Sequence, residues 1–345
     1  MSEGRRTASP VVRARRVGAG QDRVRLDAFV RDVLDGATPV PLSNADVRRV
    51  IVGGGVEVDG RLARAAGAPV RQGQLVRITL RADRLASQRA RPGGEAREVR
   101  VLFLDESIVA ADKPPGLPTV PTPDARRASL VDLVAHALAT EGGPARLGVH
   151  QRLDADTSGV VVFSRTREAG LGLDAAFADR RVTKTYLALA VTGPDGWPPD
   201  GRVRDRLDTS GRGKRGRVAA SATGRVAETH VTVLEGFRGV ALVQVSPLTG
   251  RKHQVRAHLA GIGCPLLGDA RYGGPTRVLG RAVPRVMLHA SRLEVPHPVT
   301  GAPLRLESPL PGDLSDLLSW LRQRAGRRSC GGRAALDKSL GQAES

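Results

Sequence analysis

Residues 149–163 read VHQRLDADTSGVVVF. Hydrogen-bonding side chains from His150 to Ser158 pass straight into an apolar strand at Val160–Phe163, the way a rigid strand holds a functional loop in place. A carboxylate here, Asp154 or Asp156, can serve as nucleophile or base, or can cap a turn and pair with Arg152; for the segment alone the turn cap is the plainer reading. Working outward, VRVLFLDESIVAADKP (99–114) predicts paired strands, SLVDLVAHALA (129–139) a helix, and TKTYLALAVTG (183–193), AETHVTVLEG (227–236) and VALVQVSPLTG (240–250) further strands. Strands joined by short turns, with only occasional helices, predict an α+β fold on a largely antiparallel sheet. No Gly-rich phosphate loop of the Walker or Rossmann kind is present, so no nucleotide cofactor is indicated.

The 345 residues are enough for two domains. Apolar residues make up 40% and charged residues 26%, which excludes a wholly disordered, collagen-like or membrane-embedded chain. Lys+Arg 54 against Asp+Glu 35 leaves a net charge of +19, and cations placed on phosphates gain entropy by releasing condensed counterions, so nucleic acid is the natural partner. Almost all of the cations are Arg, which reads partly as codon bias; bias selects Arg over Lys but does not create a surplus. The two cysteines, Cys264 and Cys330, lie far apart and indicate neither a disulfide framework nor zinc. No secretory h-region or transmembrane stretch is visible, and a cytoplasmic protein without a membrane partner is expected.

Residues 1–18 read as a disordered basic arm, 81–98 as a linker with its Pro-Gly-Gly, and 323–345 as a disordered tail. Between arm and linker, residues 19–80 carry a helical face at Leu26, Phe29, Val30 and Val33, a capping box from Ser43 to Asp46, and a second stripe at Val47, Val50 and Ile51 stopped by Gly53–Gly55. Val56, Val58, the hairpin pair Asp59-Gly60 and a strand at Leu75–Leu80 complete a small unit of two helices and a β-element.

A second dense segment, TGRKHQVRAH (249–258), reads as a turn entering a helix. In a helix Lys252 and Arg256 would share a face, as would Arg251 and Val255, so that one cation could point inward while others meet phosphate; a solvated basic face is the plainer alternative. His253 and His258 lie five apart without a neighbouring carboxylate, and no metal site is expected.

At this point the residues resemble a known family. VHQRLDADTSGVVVF is similar to the signature loop of the RluA-type pseudouridine synthases, and GRKHQVRAHLAGIGCPLLGDARYGG (250–274) to their other signature. FLDESIVAADKPPGLPT, TKTYLALA, GRVAETHVTVLE and MLHASRLEVPHPVTGAPLRLESPLP resemble the remaining blocks, in the family's order, over roughly residues 99 to 320. Gln151 stands as an extra residue between His150 and Arg152 relative to the commonest pattern. More weakly, residues 19–80 resemble the αL RNA-binding module of a small-subunit ribosomal protein, whose second helix here offers Arg48 and Arg49.

The resemblance implies a pseudouridine synthase fold over residues 99–322 and an isomerase that turns uridine into pseudouridine in structured RNA. It implies Asp154 as the essential aspartate, Tyr186 as the active-site tyrosine and Arg256 as the active-site arginine. The glycosidic bond leaves nitrogen 1 of uracil, the base turns while held, and carbon 5 joins the ribose; no redox step or group transfer occurs, so no cofactor or metal is expected. An ionised Asp154 can act as nucleophile or remove a ribose proton, Arg256 keeps it ionised and aimed, and Tyr186 can stack on the base and take the carbon-5 proton. Arg152 is placed to hold the vacated space or a flanking phosphate. With 5 Phe, 2 Trp and 2 Tyr, stacking platforms are scarce, so grip is expected from arginines on phosphate: Arg251, Lys252, Arg48, Arg49, and the loop residues Arg212, Lys214, Arg215 and Arg217. The αL module favours ribosomal RNA of the large subunit over transfer RNA, and a monomer is expected. A rival of another class is a non-catalytic RNA-binding or ribosome-assembly protein, which would not need Asp154, Tyr186 and Arg256 together.

Overall fold

The computed structural model describes residues 10–35, 44–80, 99–122, 128–140, 147–193, 201–208 and 217–324. Their contacts divide into two compact units, one of residues 1–100 with 117–152 and one of residues 101–116 with 153–345, which differs from a single break at a linker; residues 81–98 lie outside the described residues.

In the first unit, helix α1 (Leu26–Leu34) turns Leu26, Phe29, Val30 and Leu34 into the core, and α2 (Asn44–Val52) does the same with Val47, Val50 and Ile51. Ser43, expected to cap α2, lies outside the described residues, and Asp46 is buried in the first turn. Strands β2 (Val56–Val58) and β3 (Arg61–Leu62) are joined by Asp59-Gly60 with φ of 50° and 75°, the left-handed pair that a two-residue hairpin requires. β4 (Leu75–Leu80) follows. The expected disordered arm does not extend to residue 18. Val11–Arg16 forms a strand, β1, antiparallel to β4 from Val11 opposite Leu80 to Arg16 opposite Leu75, in a sheet of order β1-β4-β2-β3. Backbone pairing needs no apolar side chain at an edge, and arginine stems cover the core as well as aliphatic residues do: Arg15 lies 5.5 Å over the Phe29 ring and reaches Asp32 at 2.9 Å. Within the segment 117–152 of this unit, α3 (Leu130–Thr140) buries Leu130, Val134 and Leu138.

The second unit is built on one long sheet. Its strands are β5 (Val101–Leu104), β6 (Ile108–Lys113), β7 (Ser158–Ser164), β8 (Thr183–Val191), β9 (Arg202–Asp208), β10 (Ala219–Ala220), β11 (Arg225–Gly236), β12 (Val240–Pro247), β13 (Leu288–Pro296) and β14 (Pro303–Glu307). They run in the order β10-β9-β11-β12-β8-β13-β7-β6-β5, with β14 on β13. Along this path only β13 and β7 are parallel, so the fold is α+β on a largely antiparallel mixed sheet. β8 is buried on both faces. Ala188 and Ala190 meet Val255 and Leu259 of α5 (Gln254–Gly261), while Leu189, between them, packs with Leu314 and Leu317 of α6 (Gly312–Arg324). α4 (Arg167–Ala178), capped by Thr166, covers Val160 and Val162. Residues 323 and 324, expected in the tail, belong to α6, and residues 325–345 lie outside the described residues. No helix among the described residues is long and apolar enough to cross a membrane.

One glycine fixes where β7 starts. Gly159 has φ of 119°, and a Cβ there would stand 2.2 Å from the Ala290 carbonyl oxygen on the parallel neighbour β13. Neither the backbone nor that approach tolerates a side chain. Gly159→Ala is expected to lower stability by at least about 2 kcal/mol, read as a shift of the urea unfolding midpoint at constant m.

Candidate active site

The loop ahead of β7 is held by cations from beneath. Lys113, fully buried at the end of β6, donates from Nζ to the carbonyl of Ala155 at 2.8 Å and to that of Pro114 at 3.0 Å. Arg285 donates to the Asp156 carbonyl at 3.1 Å and to Ser158 Oγ at 3.2 Å, its own guanidinium held by both oxygens of Asp313 at 2.6 and 2.8 Å. Ser158 in turn faces His289 Nδ1 at 3.1 Å, and His289 Nε2 donates to the Ser308 carbonyl; burial lowers the His289 pKa and keeps the ring neutral. Asp154, at the head of this loop, closes a turn through its carbonyl with the amide of Thr157. Its side chain remains 26% exposed, enough to meet a substrate.

Arg256 stands opposite on α5. Nη1 donates to Asp154 Oδ2 at 2.8 Å, while Nε and Nη2 hold Asp269 through two parallel bonds of 2.6 and 2.7 Å. Asp269 is 1% exposed and the Arg256 side chain 8%, so one guanidinium is sandwiched between a sunken carboxylate and an accessible one. Burial works against its charge, yet the hydrogen bonds and charges of Asp269 and Asp154 outweigh this and raise its pKa above the ordinary arginine value. The helix entry is pinned by Gln254, whose Oε1 accepts from Thr249 Oγ1 and the Arg251 amide and whose Nε2 donates to the Glu228 carbonyl and Thr229 Oγ1.

Tyr186 sits on β8 opposite Val245 and packs against the apolar cluster under α5. Burial, and then the charge of Asp154, push its phenol well above the ordinary tyrosine value, so it stays neutral. Lys184, two positions earlier and therefore on the same face, donates to the Thr249 carbonyl at 3.3 Å, with its pKa lowered by burial. Among the described residues no cluster of His, Cys, Asp and Glu could hold a metal ion.

A family model described as RNA pseudouridylate synthase matches residues 107–261. The chain is 36% identical to the ribosomal large subunit pseudouridine synthase D of Pseudomonas aeruginosa over 236 residues, covering 66% of this chain and 72% of that protein. It is 36% identical to an uncharacterized RNA pseudouridine synthase of Chloroflexus aurantiacus over 307 residues, covering 88% and 92%. The chain belongs to the RNA pseudouridylate synthase family. Among solved structures, human RNA Pseudouridylate Synthase Domain Containing 4 is 28% identical and superposes with a TM-score of 0.54 over 64% of this chain and 92% of that one. The protein is an RNA pseudouridine synthase, an isomerase, and a purely RNA-binding role is set aside.

The structure joins Arg256 to Asp154 by a hydrogen bond and sets Tyr186 close enough to Asp154 to feel its charge. Other expectations are corrected. Lys252 does not share a helical face with Arg256, because α5 begins only at Gln254; His253 has a left-handed backbone, φ 52°, that breaks the periodicity. Lys252 is left exposed and Arg251 half-buried, its Nε on the Val226 carbonyl at 3.4 Å. His253 does have a carboxylate neighbour: its Nε2 lies 3.7 Å from Asp154 Oδ1, a residue roughly a hundred positions away in sequence. Arg152 is exposed, and Arg217 stands 6.0 Å over the Tyr272 ring; Arg212, Lys214 and Arg215 lie outside the described residues, as does the side chain of Arg49. Arg48 is turned toward Asp27 at 3.4 Å, which Arg25 also binds at 2.7 Å. Sequence reasoning missed Asp269 and Tyr272 outright, although both lie inside the second signature, in LLGDARYGG.

Asp269→Asn keeps the shape of the guanidinium's partner and removes its charge. Because one partner of a buried pair is lost, stability should fall by about 3 kcal/mol in denaturant unfolding. Turnover should fall at least tenfold in tritium release from RNA labelled at carbon 5 of uracil, since Arg256 is then free to turn away from Asp154.

Proposed function

We propose that this synthase isomerises specific uridines in structured RNA of the large ribosomal subunit, with Asp154 as the reacting carboxylate, Arg256 as its fixed cation and Tyr186 as the partner of the base. The observation that carries the chemistry is an accessible carboxylate whose one oxygen, Oδ2, is tied at 2.8 Å to a guanidinium that a second, buried carboxylate holds rigid. Such a cation fixes the direction of the carboxylate, leaving Oδ1 to face the ribose or the base. The target uridine must leave its stack to reach this depth, at a cost of a few kcal/mol recovered from protein contacts. Tyr186 offers a ring face for the flipped base and a neutral O–H. Its raised pKa disfavours a free phenolate, so Tyr186 is assigned the part of a neutral stacking partner of the base.

Two observations support ribosomal RNA over transfer RNA. The relatives from Pseudomonas aeruginosa and Vibrio vulnificus carry the name ribosomal large subunit pseudouridine synthase D, the latter 30% identical over 87% of this chain and 92% of that protein. The first unit also adds a second cationic surface, with Arg13, Arg15 and Arg16 on an exposed edge strand, suited to a large RNA whose phosphates extend beyond the target loop. Arg251, Lys252 and Arg217 of the second unit are assigned to phosphate contacts, with Arg152, Arg48, Arg49, Arg212, Lys214 and Arg215 as further RNA-binding residues.

Carbodiimide-dependent reverse-transcription stops, mapped in cells with and without the gene, test the target. Stops lost only from large-subunit ribosomal RNA are expected; stops lost only from transfer RNA would overturn the assignment. Asp154→Asn should abolish tritium release while filter binding of RNA stays within about threefold, because shape is kept and only charge and nucleophilicity are removed.

A further inference from the structure

The reading of Asp154 as the reacting carboxylate leaves one of its oxygens without a stated restraint. Arg256 fixes Oδ2, and around that single bond the carboxylate can still swing. On the Oδ1 side stands the His253 ring, with Nε2 at 3.7 Å, too long for a hydrogen bond in this arrangement. The ring has a defined neighbour at its other nitrogen: Nδ1 lies 3.0 Å from the hydroxyl of Tyr272.

One arrangement of protons gives the Tyr272 hydroxyl an acceptor among these groups. The Tyr272 hydroxyl accepts the backbone N–H of Val218 at 2.8 Å, and an amide has nothing else to give. The hydroxyl has one proton of its own, and His253 Nδ1 is the acceptor it meets. With Nδ1 accepting, the neutral ring carries its hydrogen on Nε2, facing Asp154. Tyr272 is itself fixed: it is buried, meets the His253 ring edge-on at 5.8 Å between centroids, and lies under Arg256 at 5.1 Å. His253 is also held in a left-handed backbone, which a non-glycine residue adopts only where its surroundings impose it. The charged groups around the ring are Asp154, Arg256, Lys252 and Arg271; burial and the three cations keep it neutral against the pull of Asp154.

We propose that His253 is a positioning residue for the isomerisation, presenting an Nε2–H to the Oδ1 side of Asp154, with Tyr272 setting the tautomer that puts the proton there. The carboxylate is thereby restrained from both sides, by a cation on Oδ2 and by a neutral donor on Oδ1. A neutral donor orients that oxygen without neutralising the charge the reaction uses. The proposal rests on Asp154 being the reacting group.

The test compares four full-length variants on total RNA from cells that lack the gene and were grown with uridine tritiated at carbon 5. Single-turnover tritium release and filter binding are measured side by side. His253→Leu should slow release by about 10- to 100-fold with binding unchanged, because the reactive group is misplaced rather than lost. His253→Gln should recover most of the rate, its amide N–H standing in for Nε2–H. Tyr272→Phe should fall between the two, since the ring proton can then move to Nδ1. His253→Leu at the wild-type rate overturns the proposal. So does an equal loss in the Leu and Gln variants accompanied by a lowered unfolding midpoint, which marks a packing role. Asp154→Asn separates the two readings: if it retains turnover, the assignment of Asp154 fails and this inference with it, whereas an inactive Asp154→Asn beside a fully active His253→Leu overturns the inference alone.

Discussion

A guanidinium buried between two carboxylates is the interaction around which the rest of the synthase is arranged. Taking a guanidinium and a carboxylate out of water costs more than one ion pair returns, so the arrangement persists only where each guanidinium nitrogen finds an oxygen in good geometry. Arg256 meets that condition with three short bonds, two to Asp269 and one to Asp154. A lysine could not: its point charge lacks the planar fork that grips one carboxylate through two parallel bonds and still directs a third donor at another. The sunken member, Asp269, does no chemistry of its own; it makes Arg256 rigid, and a rigid Arg256 makes Asp154 reproducible in position.

The scaffold serves the same end. Asp154 lies on a loop, and loops move, but this one is tied by buried cations at consecutive carbonyls, Lys113 on Ala155 and Arg285 on Asp156. It ends at Gly159, where β13 approaches too closely for any side chain. α5 brings Arg256 from the other side, its own entry fastened by Gln254 to β11. Neutral buried His289 and a clamped Arg285 complete a layer of polar contacts beneath the loop, each with its hydrogen-bonding capacity used. A substrate that must be unstacked at a cost in energy meets groups already in place, and little further ordering is charged against the reaction.

The cationic surplus has a different purpose. Exposed pairs such as Arg25 with Asp27, or Arg305 with Glu307 at 2.6 Å, contribute little to stability and do not explain a net charge of +19. Its physical return is in association with a polyanion, where counterion release and steering act on the whole surface rather than on single contacts.

Much of this was legible in the chain. Apolar periodicity placed α1 and α2, the buried run at Val160–Phe163 and the strands on either side of it, because those patterns depend only on which faces must leave water. The Arg-Leu-Asp run and the TKTYLALA block pointed to Asp154 and Tyr186, since catalytic groups sit on short, chemically dense segments whose order a family resemblance can match. The strand at Val11–Arg16 was not legible, because an edge strand is held by backbone hydrogen bonds that any side chain permits, and its arginines disguise it as an arm. Nor were the partnerships among Asp154, His253, Arg256, Asp269 and Tyr272: they join residues far apart in sequence, and a distance of 3.7 Å or 2.8 Å between them exists only once β7 and α5 are packed in one unit. Composition and local pattern therefore determined the fold class and the polyanionic partner, and the family resemblance supplied the candidate reacting residues. Which side chain meets which oxygen was decided by tertiary structure alone, because the partners of a polar group are a property of assembled neighbours and not of any segment by itself.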